Sequence, residues 1–290
     1  MQTQFHADDA VTEQARYCKV SGAYLYTVLH EVPTPVARVL LIGPFASERH
    51  FSYHPWVRWA RYLAARRIEV LRYDYRGVGE STGVFDEMGF DHWSEDVECL
   101  ASWFSKRSPA VPLVLHGLEI GAILAGRHFS QGTGDALLLW SPPSHAGQAL
   151  QTSLLRWAGL EQLFESTENR RTAKDYIRQL ELGLSIEVAG YQWSSALWRS
   201  SFDFHLPTGL ADEDDAREAY KRPVKIVKLG NEAAPLVKPY VGYDEVKDLS
   251  WLYSYNFEWI IGALTRVACR PSDLSQVPPG CKEDCDARGN

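Results

Sequence analysis

Residues 114–122 read Val-Leu-His-Gly-Leu-Glu-Ile-Gly-Ala, and this stretch decides the fold. An apolar run with the character of a buried strand leads into it, and residues that favour a helix follow it. Gly117 and Gly121 stand two positions before and two positions after Glu119. Glycines at these places let a strand turn sharply into a helix around one strained residue. The stretch therefore predicts a strand–turn–helix with Glu119 at its apex.

The same pattern with a serine at the apex, G-x-S-x-G, is the nucleophile elbow, which exposes an attacking hydroxyl at the edge of a sheet. Here Glu119 stands where that serine would stand. The sequence therefore predicts the geometry of an elbow without its hydroxyl group.

The bulk composition is that of a globular chain with a large core. The 290 residues are 45% hydrophobic and 23% charged, which is ordinary for a soluble domain. This length fits one large α/β domain with an insertion, or two small domains. A formal net charge of −7 argues against nucleic acid or an anionic membrane as the main partner.

Several sequence features bear on location and cofactors. The start of the chain has no positive n-region or apolar h-region, and no apolar run reaches the roughly 18 residues of a membrane span. The 5 cysteines are odd in number, which suits a reducing cytoplasm better than a disulfide framework. The sequence has no dinucleotide or P-loop glycine motif and no clustered metal-ligand spacing. We expect a cytoplasmic protein, not embedded in a membrane, without cofactor or metal and of open oligomeric state.

Strand and helix patterns alternate through residues 1–143, which is typical of a mainly parallel sheet covered by helices. We expect this part to form the first portion of an α/β core. Residues 144–215 contain helical segments and no long apolar strand, so they predict a helical lid inserted into that core. Residues 216–270 restore the strand and helix pattern of the core, and we expect the polar residues 271–290 to be a disordered tail.

Two further motifs precede the elbow. Residues 43–45, Gly-Pro-Phe, follow an apolar strand, and residues 74–81 form a D-x-R-G-x-G-x-S turn. In this order the three motifs resemble the α/β-hydrolase fold over residues 35–130. The resemblance implies a mostly parallel central sheet with flanking helices, and an oxyanion hole formed by the backbone N–H groups of Ile120 and Phe45.

A narrower resemblance covers residues 35–265. Residues 136–142, Ala-Leu-Leu-Leu-Trp-Ser-Pro, and residues 183–191, Gly-Leu-Ser-Ile-Glu-Val-Ala-Gly-Tyr, resemble the hydrolase-like proteins associated with exosortase A systems. In the second type of that family the elbow serine is likewise replaced, in a G-L-x-x-G-A pattern that residues 117–122 fit. The resemblance implies a Gram-negative bacterial protein from a surface-polysaccharide or protein-sorting locus. It implies no particular reaction.

The rest of a serine triad is missing from its usual places. A triad in this fold needs a histidine after the last strand, and the histidines of this chain end at His205. Ser250 and Trp251 occupy the loop where that base would lie. Glu232 stands near the place of the triad acid, either as a site residue or as a solvated loop residue. Without the imidazole, no hydroxyl is deprotonated in the usual way, so we expect no ordinary esterase activity.

Three roles for Glu119 follow from its place. As a carboxylate nucleophile it would resemble the elbow aspartate of dehalogenases and epoxide hydrolases of this fold. As a general acid or base it would need a dry pocket that raises its pKa. As a structural residue it would fold back onto the N–H groups of Ile120 and Phe45 and block the oxyanion hole. The sequence leaves these three open.

Histidines and aromatic residues supply the remaining candidates. His116 is either a packed core histidine or a partner of Glu119, and His54 lies near the expected pocket mouth. Trp251 would fill or line the pocket. Four aromatic residues of the insertion line an acyl pocket or form a helix–helix core: Trp157, Tyr191, Trp193 and Trp198. We predict an α/β-hydrolase-fold protein that binds a small acyl- or carbonyl-type molecule under the lid. The alternative is a noncanonical lyase, isomerase, cyclase or hydrolase that depends on Glu119.

Overall fold

An eight-stranded sheet forms the centre of the molecule. A computed structural model describes residues 5–7, 11–44, 47–164, 170–229 and 249–268. The strands in these ranges are β1 (Phe5–Ala7), β2 (Val11–Val20), β3 (Ala23–Glu31), β4 (Ala37–Ile42), β5 (Ile68–Tyr73), β6 (Leu113–Leu118), β7 (Ala136–Trp140), β8 (Ile186–Val188), β9 (Tyr191–Trp193) and β10 (Val224–Val227). The order across the large sheet is β1-β2-β3-β5-β4-β6-β7-β10.

The inner strands of this sheet are parallel. β5, β4, β6, β7 and β10 pair in parallel, whereas β1, β2 and β3 add to the β5 edge in antiparallel register. Every residue of β4, β6 and β7 is buried. This burial fits their continuous apolar sequences, because helices cover both faces of a parallel sheet. The expectation of a mostly parallel central sheet with flanking helices is confirmed.

Two helical layers cover the sheet. The helices are α1 (Ser47–Ala64), α2 (Phe90–Lys106), α3 (Ile120–Ser130), α4 (Ala146–Phe164), α5 (Ala173–Glu181), α6 (Ser195–Ser200), α7 (Glu213–Ala219) and α8 (Ser250–Ala268). Helices α2 and α3 bury one face, where Trp93 and Phe104 lie at the centre of the larger apolar cluster. Helices α1 and α8 bury the other face, around Trp59 and Leu252.

The segment between β7 and α7 is mostly helical, as the sequence predicts, and it also contains a short hairpin. Strands β8 and β9 pair in antiparallel register, and β9 packs on the turn at residues 85–87. The described part of this segment contains no long strand, as expected, but the sequence did not indicate this hairpin. Three-residue strands have too short a pattern to be distinguished from loops in the sequence. Helices α4, α5 and α6 pack on one another, and α4 also contacts α3.

Helix α1 begins at Ser47, well before its residues take up an apolar helical spacing. The apolar spacing begins only at Trp56, and Pro55 is a usual boundary signal because it lacks an N–H group. The structure nevertheless continues the helix through Pro55. The earlier start matters because it places Glu48 and Arg49 on a rigid element beside the elbow.

Buried charges hold the turn that follows β5. Arg49 forms a bidentate pair with Asp74, with a shortest N–O distance of 2.8 Å. Arg76 pairs with Asp96 of α2, and its own backbone N–H donates to the same carboxylate at 3.0 Å. Asp96 is fully buried. In the D-x-R-G-x-G-x-S motif, the aspartate and the arginine therefore stabilise the turn itself.

None of the helices in the described part of the chain is long and apolar enough to cross a membrane. The described residues likewise contain no group of three or more histidine, cysteine, aspartate or glutamate side chains that could hold a metal ion.

Candidate functional site

The predicted strand–turn–helix is present, with Glu119 at its apex. β6 ends at Leu118 and α3 begins at Ile120. Glu119 between them has φ 52° and ψ −118°. A non-glycine residue with a positive φ is strained, and it persists only where its surroundings fix it. The backbone N–H of Glu119 donates to the carbonyl of Trp140 at 3.0 Å, which holds the apex against β7.

Both glycines of the motif are required by close backbone contacts. A Cβ atom on Gly117 would lie 2.4 Å from the Cα atom of Ala122. A Cβ atom on Gly121 would lie 2.0 Å from the carbonyl oxygen of Ile42. Because backbone atoms at these distances cannot yield cheaply, the two glycines are what allow β6 to turn into α3 beside β4.

A small pocket opens at the apex. It has an empty volume of about 210 Å³. Its lining consists of Pro44, Glu48, Glu119, Ile120, Leu150, Ser153 and Trp193. Leu150 and Ser153 belong to α4, so the inserted segment supplies one wall. The other walls come from the elbow, from the end of β4 and from α1.

The Glu119 carboxyl lies in this pocket without a hydrogen-bond donor among the described residues. Its side chain is 14% exposed, and Oε1 lies 3.8 Å from Nη2 of Arg156. It makes no capping hydrogen bond to the first turn of α3. Burial raises the pKa of the Glu119 carboxyl to about 8, the charge of Glu48 adds to the rise and Arg156 opposes it. This rise favours the neutral, protonated form of Glu119 near pH 7.

Glu48 and Arg156 form an ion pair beside Glu119. Arg156 of α4 donates to Glu48 Oε2, and Ser153 of α4 donates to Glu48 Oε1 at 2.6 Å. Glu48 is buried. The single guanidinium is thus committed to Glu48, and only its second nitrogen faces Glu119. One positive charge between two carboxyl groups favours the state in which one of the two keeps its proton.

Trp193 adds a polar group to the pocket wall. Its side chain is 1% exposed, and its indole N–H has no acceptor among the described residues. A buried N–H without a partner costs free energy, which an oxygen atom of a ligand would recover.

Comparisons with known proteins agree with the fold of the chain. The family described as serine aminopeptidase, S33, matches residues 56–175. The α/β hydrolase GrgF from Penicillium sp. sh18 is 14% identical, and the match covers 87% of this chain and 99% of that chain with a TM-score of 0.54. The chain has the α/β-hydrolase fold.

Other comparisons add no finer assignment to this α/β-hydrolase-fold protein. Est1E from Butyrivibrio proteoclasticus, solved with ferulic acid bound, is 15% identical over 87% of this chain and 100% of that chain, with a TM-score of 0.54. A serine hydrolase without lid from Xanthomonas campestris is 24% identical, but this chain spans only 62% of it, over 46% of its own length, and the TM-score is 0.40. A search of the curated proteins finds no match to this sequence.

His116 lies in the core of the α/β-hydrolase fold and does not line the elbow pocket. It is fully buried, and Nδ1 bonds to the carbonyl of Leu138 at 3.0 Å. Its ring lies 4.9 Å from the ring of Trp56 and 4.6 Å from that of Trp140. Burial lowers the pKa of His116 to about 3, so the ring is neutral at pH 7. Its place is that of the packed core histidine.

Two other predicted residues point elsewhere. His54 lies on an exposed position of α1 and is not part of the pocket lining. Trp251, at the start of α8, is 55% exposed and is also absent from the lining. Trp251 was expected in the pocket because it lies in the loop where the triad base would stand, but α8 begins at Ser250 and leaves Trp251 facing solvent.

The aromatic residues of the insertion divide between the two predicted roles. Trp193 lines the pocket, together with Ile120 from the start of α3. Trp198 is buried and packs against Phe202 at 5.1 Å, and Tyr191 packs against Phe85 at 4.9 Å. Trp157 is partly buried against the larger apolar cluster. Phe45 and Glu232 lie outside the described residues.

The sequence prediction missed Glu48, Ser153 and Arg156. The two α4 residues are more than a hundred positions away from Glu48 along the chain and meet it only in the folded structure. One local signal was available: Ser153 and Arg156 are three residues apart, which places them on one face of a helix.

Proposed function

We propose that this protein binds a small acyl- or carbonyl-type molecule in the elbow pocket, with the neutral Glu119 carboxyl as hydrogen-bond donor to the ligand's carbonyl oxygen. The observation that carries the proposal is the setting of the Glu119 carboxyl, which is largely buried at the apex with no hydrogen-bond donor among the described residues. The cation beside it, Arg156, already donates to Glu48, and burial in these surroundings raises the pKa of Glu119. A protonated carboxyl group is a donor, whereas an ionised one only accepts. The inserted segment, through α4, acts as the lid over this ligand.

The lining of the pocket supports this class of ligand. Pro44, Ile120, Leu150 and Trp193 supply apolar contact surface, while Glu119 supplies the fixed polar contact. The empty volume of about 210 Å³ includes space open to solvent, so the enclosed part of the pocket is small. We infer a ligand that places only a few heavy atoms beside Glu119.

We infer that the protein is not an ordinary esterase. The elbow carries no serine, and the only histidine next to the elbow in sequence, His116, is bonded to a backbone carbonyl away from the pocket. With no serine at the apex and no histidine in the described lining of the pocket, the elbow lacks the two groups on which the usual serine-hydrolase mechanism depends.

A second candidate function is proton-transfer catalysis by Glu119. A group with a pKa of about 8 exchanges protons readily near neutral pH, as an acid or base catalyst must. Lyase, isomerase and cyclase reactions of small carbonyl compounds need such a group. A hydrolase that uses Glu119 as nucleophile is less well supported, because the neutral carboxyl lacks the negative charge that attacks.

Two broader assignments belong to the same proposal. The sequence of residues 117–122 supports a place among the exosortase-associated hydrolase-like proteins whose elbow serine is replaced. The odd number of cysteines supports a cytoplasmic location.

The test compares the parent protein with Glu119→Gln on small esters, acyl thioesters, ketones and epoxides. Glutamine keeps a hydrogen-bond donor but cannot transfer a proton. Binding is measured by calorimetry between about pH 6 and pH 10, and turnover by mass spectrometry of the products. We expect the parent to lose affinity as the pH rises through about 8, where Glu119 ionises, and Glu119→Gln to bind without that pH dependence.

The outcomes separate the two candidates. If Glu119→Gln binds and the parent alone forms product, Glu119 is a catalytic acid or base. If both bind and neither forms product, the protein is a binding protein. Glu187→Gln, the same substitution at an exposed position, is the control and should behave as the parent. An affinity of the parent that is constant across the pH range would refute the donor role of Glu119.

A further inference from the structure

A second pocket lies next to the elbow pocket, on the other side of the β4 end. It is a surface cleft with an empty volume of about 410 Å³, which includes space open to solvent. Its walls come from α1, from the end of β5 and from the turn after β5. Pro44 lines both pockets, but Glu119 and Glu48 line only the elbow pocket.

Arg72 places a guanidinium group on the wall of the second pocket. Its Nε donates to Nε2 of His30 and its Nη1 donates to the hydroxyl of Tyr53, both at 3.3 Å. The His30 ring is a neutral acceptor at pH 7, because burial lowers the pKa of His30 to about 4. Arg72 forms no ion pair with a carboxylate among the described residues.

The acids closest to Arg72 already have partners. Glu13 of β2 accepts two hydrogen bonds from Arg61. Asp74, which lines the same pocket, accepts hydrogen bonds from Nε and Nη2 of Arg49 and from the backbone N–H of Glu80. Arg49 is thus ion-paired within the pocket, whereas Arg72 has no ion pair of its own among the described residues.

The rest of the pocket surface is largely aromatic. Tyr53 lies between the two guanidinium groups, with the Arg49 and Arg72 carbons 4.8 Å and 5.7 Å from its ring centre. Trp56 and Tyr75 supply further walls, and the Tyr75 hydroxyl is occupied by the carbonyl of Gly43 at 2.7 Å. A half-buried cation beside aromatic faces fits a ligand with one anionic group and an apolar body.

We propose that the second pocket is a binding site for a small aromatic carboxylate, with its carboxylate on the Arg72 guanidinium and its ring against Tyr53 and Trp56. A carboxylate matches the planar fork of guanidinium donors. The site is separate from the Glu119 pocket, so it does not depend on the function proposed for Glu119.

The test uses benzoate and benzamide as probes on the full chain, with calorimetry at low ionic strength. The two probes have nearly the same shape and differ in the charge that Arg72 would recognise. We expect the parent to bind benzoate at least about tenfold more tightly than benzamide. Arg72→Gln should abolish this preference, and Arg72→Lys, which keeps the charge, should retain part of it.

Glu119→Gln is the control for the elbow pocket and should change benzoate affinity less than about twofold. Equal affinity for benzoate and benzamide, or no benzoate binding by the parent at about 10 mM, overturns the proposal, and neither result depends on a variant that folds. A loss of benzoate binding in Glu119→Gln but not in Arg72→Gln also overturns it, because the anion would then occupy the elbow pocket.

Discussion

Two buried acids near the carboxyl edge of the sheet differ in the hydrogen-bond donors that surround them. Asp96, under the turn after β5, accepts hydrogen bonds from the backbone N–H and the guanidinium of Arg76. Glu119, at the elbow, has no such donor among the described residues, and the nearest charge is Arg156 at 3.8 Å. Burial raises the pKa of both, to about 6 for Asp96 and to about 8 for Glu119.

The two pKa values differ because different charges oppose the effect of burial. Arg76 offsets much of the effect on Asp96, whereas Arg156 is already paired with Glu48, whose charge raises the pKa of Glu119 further. Asp96 therefore stabilises the turn after β5. The carboxyl of Glu119, in its protonated form, can still donate a hydrogen bond to a ligand. This contrast makes the two acids a matched pair for mutation.

The largest effect is expected at the paired acid. Arg76→Met would leave Asp96 buried without its cation, and we expect a loss of about 3–5 kcal/mol in the free energy of unfolding, measured in urea. The double variant Arg76→Met with Asp96→Leu removes both charges and should recover much of this loss. A single variant as stable as the parent would mean that Arg76 does not support Asp96.

A substitution in the elbow backbone should lower the unfolding free energy almost as much. Gly121→Ala would place a Cβ atom 2.0 Å from the carbonyl oxygen of Ile42, and we expect a loss of about 2–3 kcal/mol in unfolding free energy. The matched control is Gly159→Ala in α4, where a Cβ atom meets nothing within 4 Å. That control should be neutral or more stable by about 0.5–1 kcal/mol. Equal effects of the two substitutions would contradict the close packing of the elbow.

Removing the Glu119 carboxyl should raise the stability of the protein, whereas the two substitutions above lower it. The folded pKa of Glu119 is raised from 4.5 to about 8, so the protein loses stability as the pH rises between these values. Glu119→Gln removes this loss. Its unfolding free energy should gain on that of the parent by up to about 1.4 kcal/mol per pH unit in this window, with no further gain above pH 8. Parallel pH profiles of parent and variant would show that Glu119 is ionised in the folded protein.

The smallest effect is expected from restoring the serine of the elbow. Glu119→Ser supplies the hydroxyl but no base, because none of the histidines in the described ranges lines the pocket. We expect no hydrolysis of p-nitrophenyl acetate above the rate of the parent. Measurable hydrolysis by this variant would reveal a base that the site description lacks.

The local parts of this architecture could be predicted from the sequence, and the elbow most completely. The spacing of Gly117, Glu119 and Gly121 determines a turn whose close contacts all lie within neighbouring elements. The buried parallel strands follow from uninterrupted apolar runs such as residues 136–140. The hairpin of β8 and β9 was missed because three residues per strand are too few for a periodic signal.

The chemical setting of Glu119 could not be predicted in the same way. Its pKa depends on Glu48 from α1 and Arg156 from α4, two helices whose relation is fixed only by the tertiary fold. Pro55 also concealed the true start of α1, which carries Glu48. His116 shows the converse: its position beside the elbow in sequence suggested a site role, but the side chains of β6 point alternately to opposite faces, and His116 points into the core.

Pro44 is part of the wall of both pockets. A ligand that shifts this residue from one side therefore changes the shape of the other pocket. If a ligand in the Arg72 pocket changes the affinity for a ligand at Glu119 by some factor, the ligand at Glu119 changes the affinity of the Arg72 pocket by the same factor. Because one proline ring is shared by the two cavities, any coupling between their occupants can be measured as one free energy from either side.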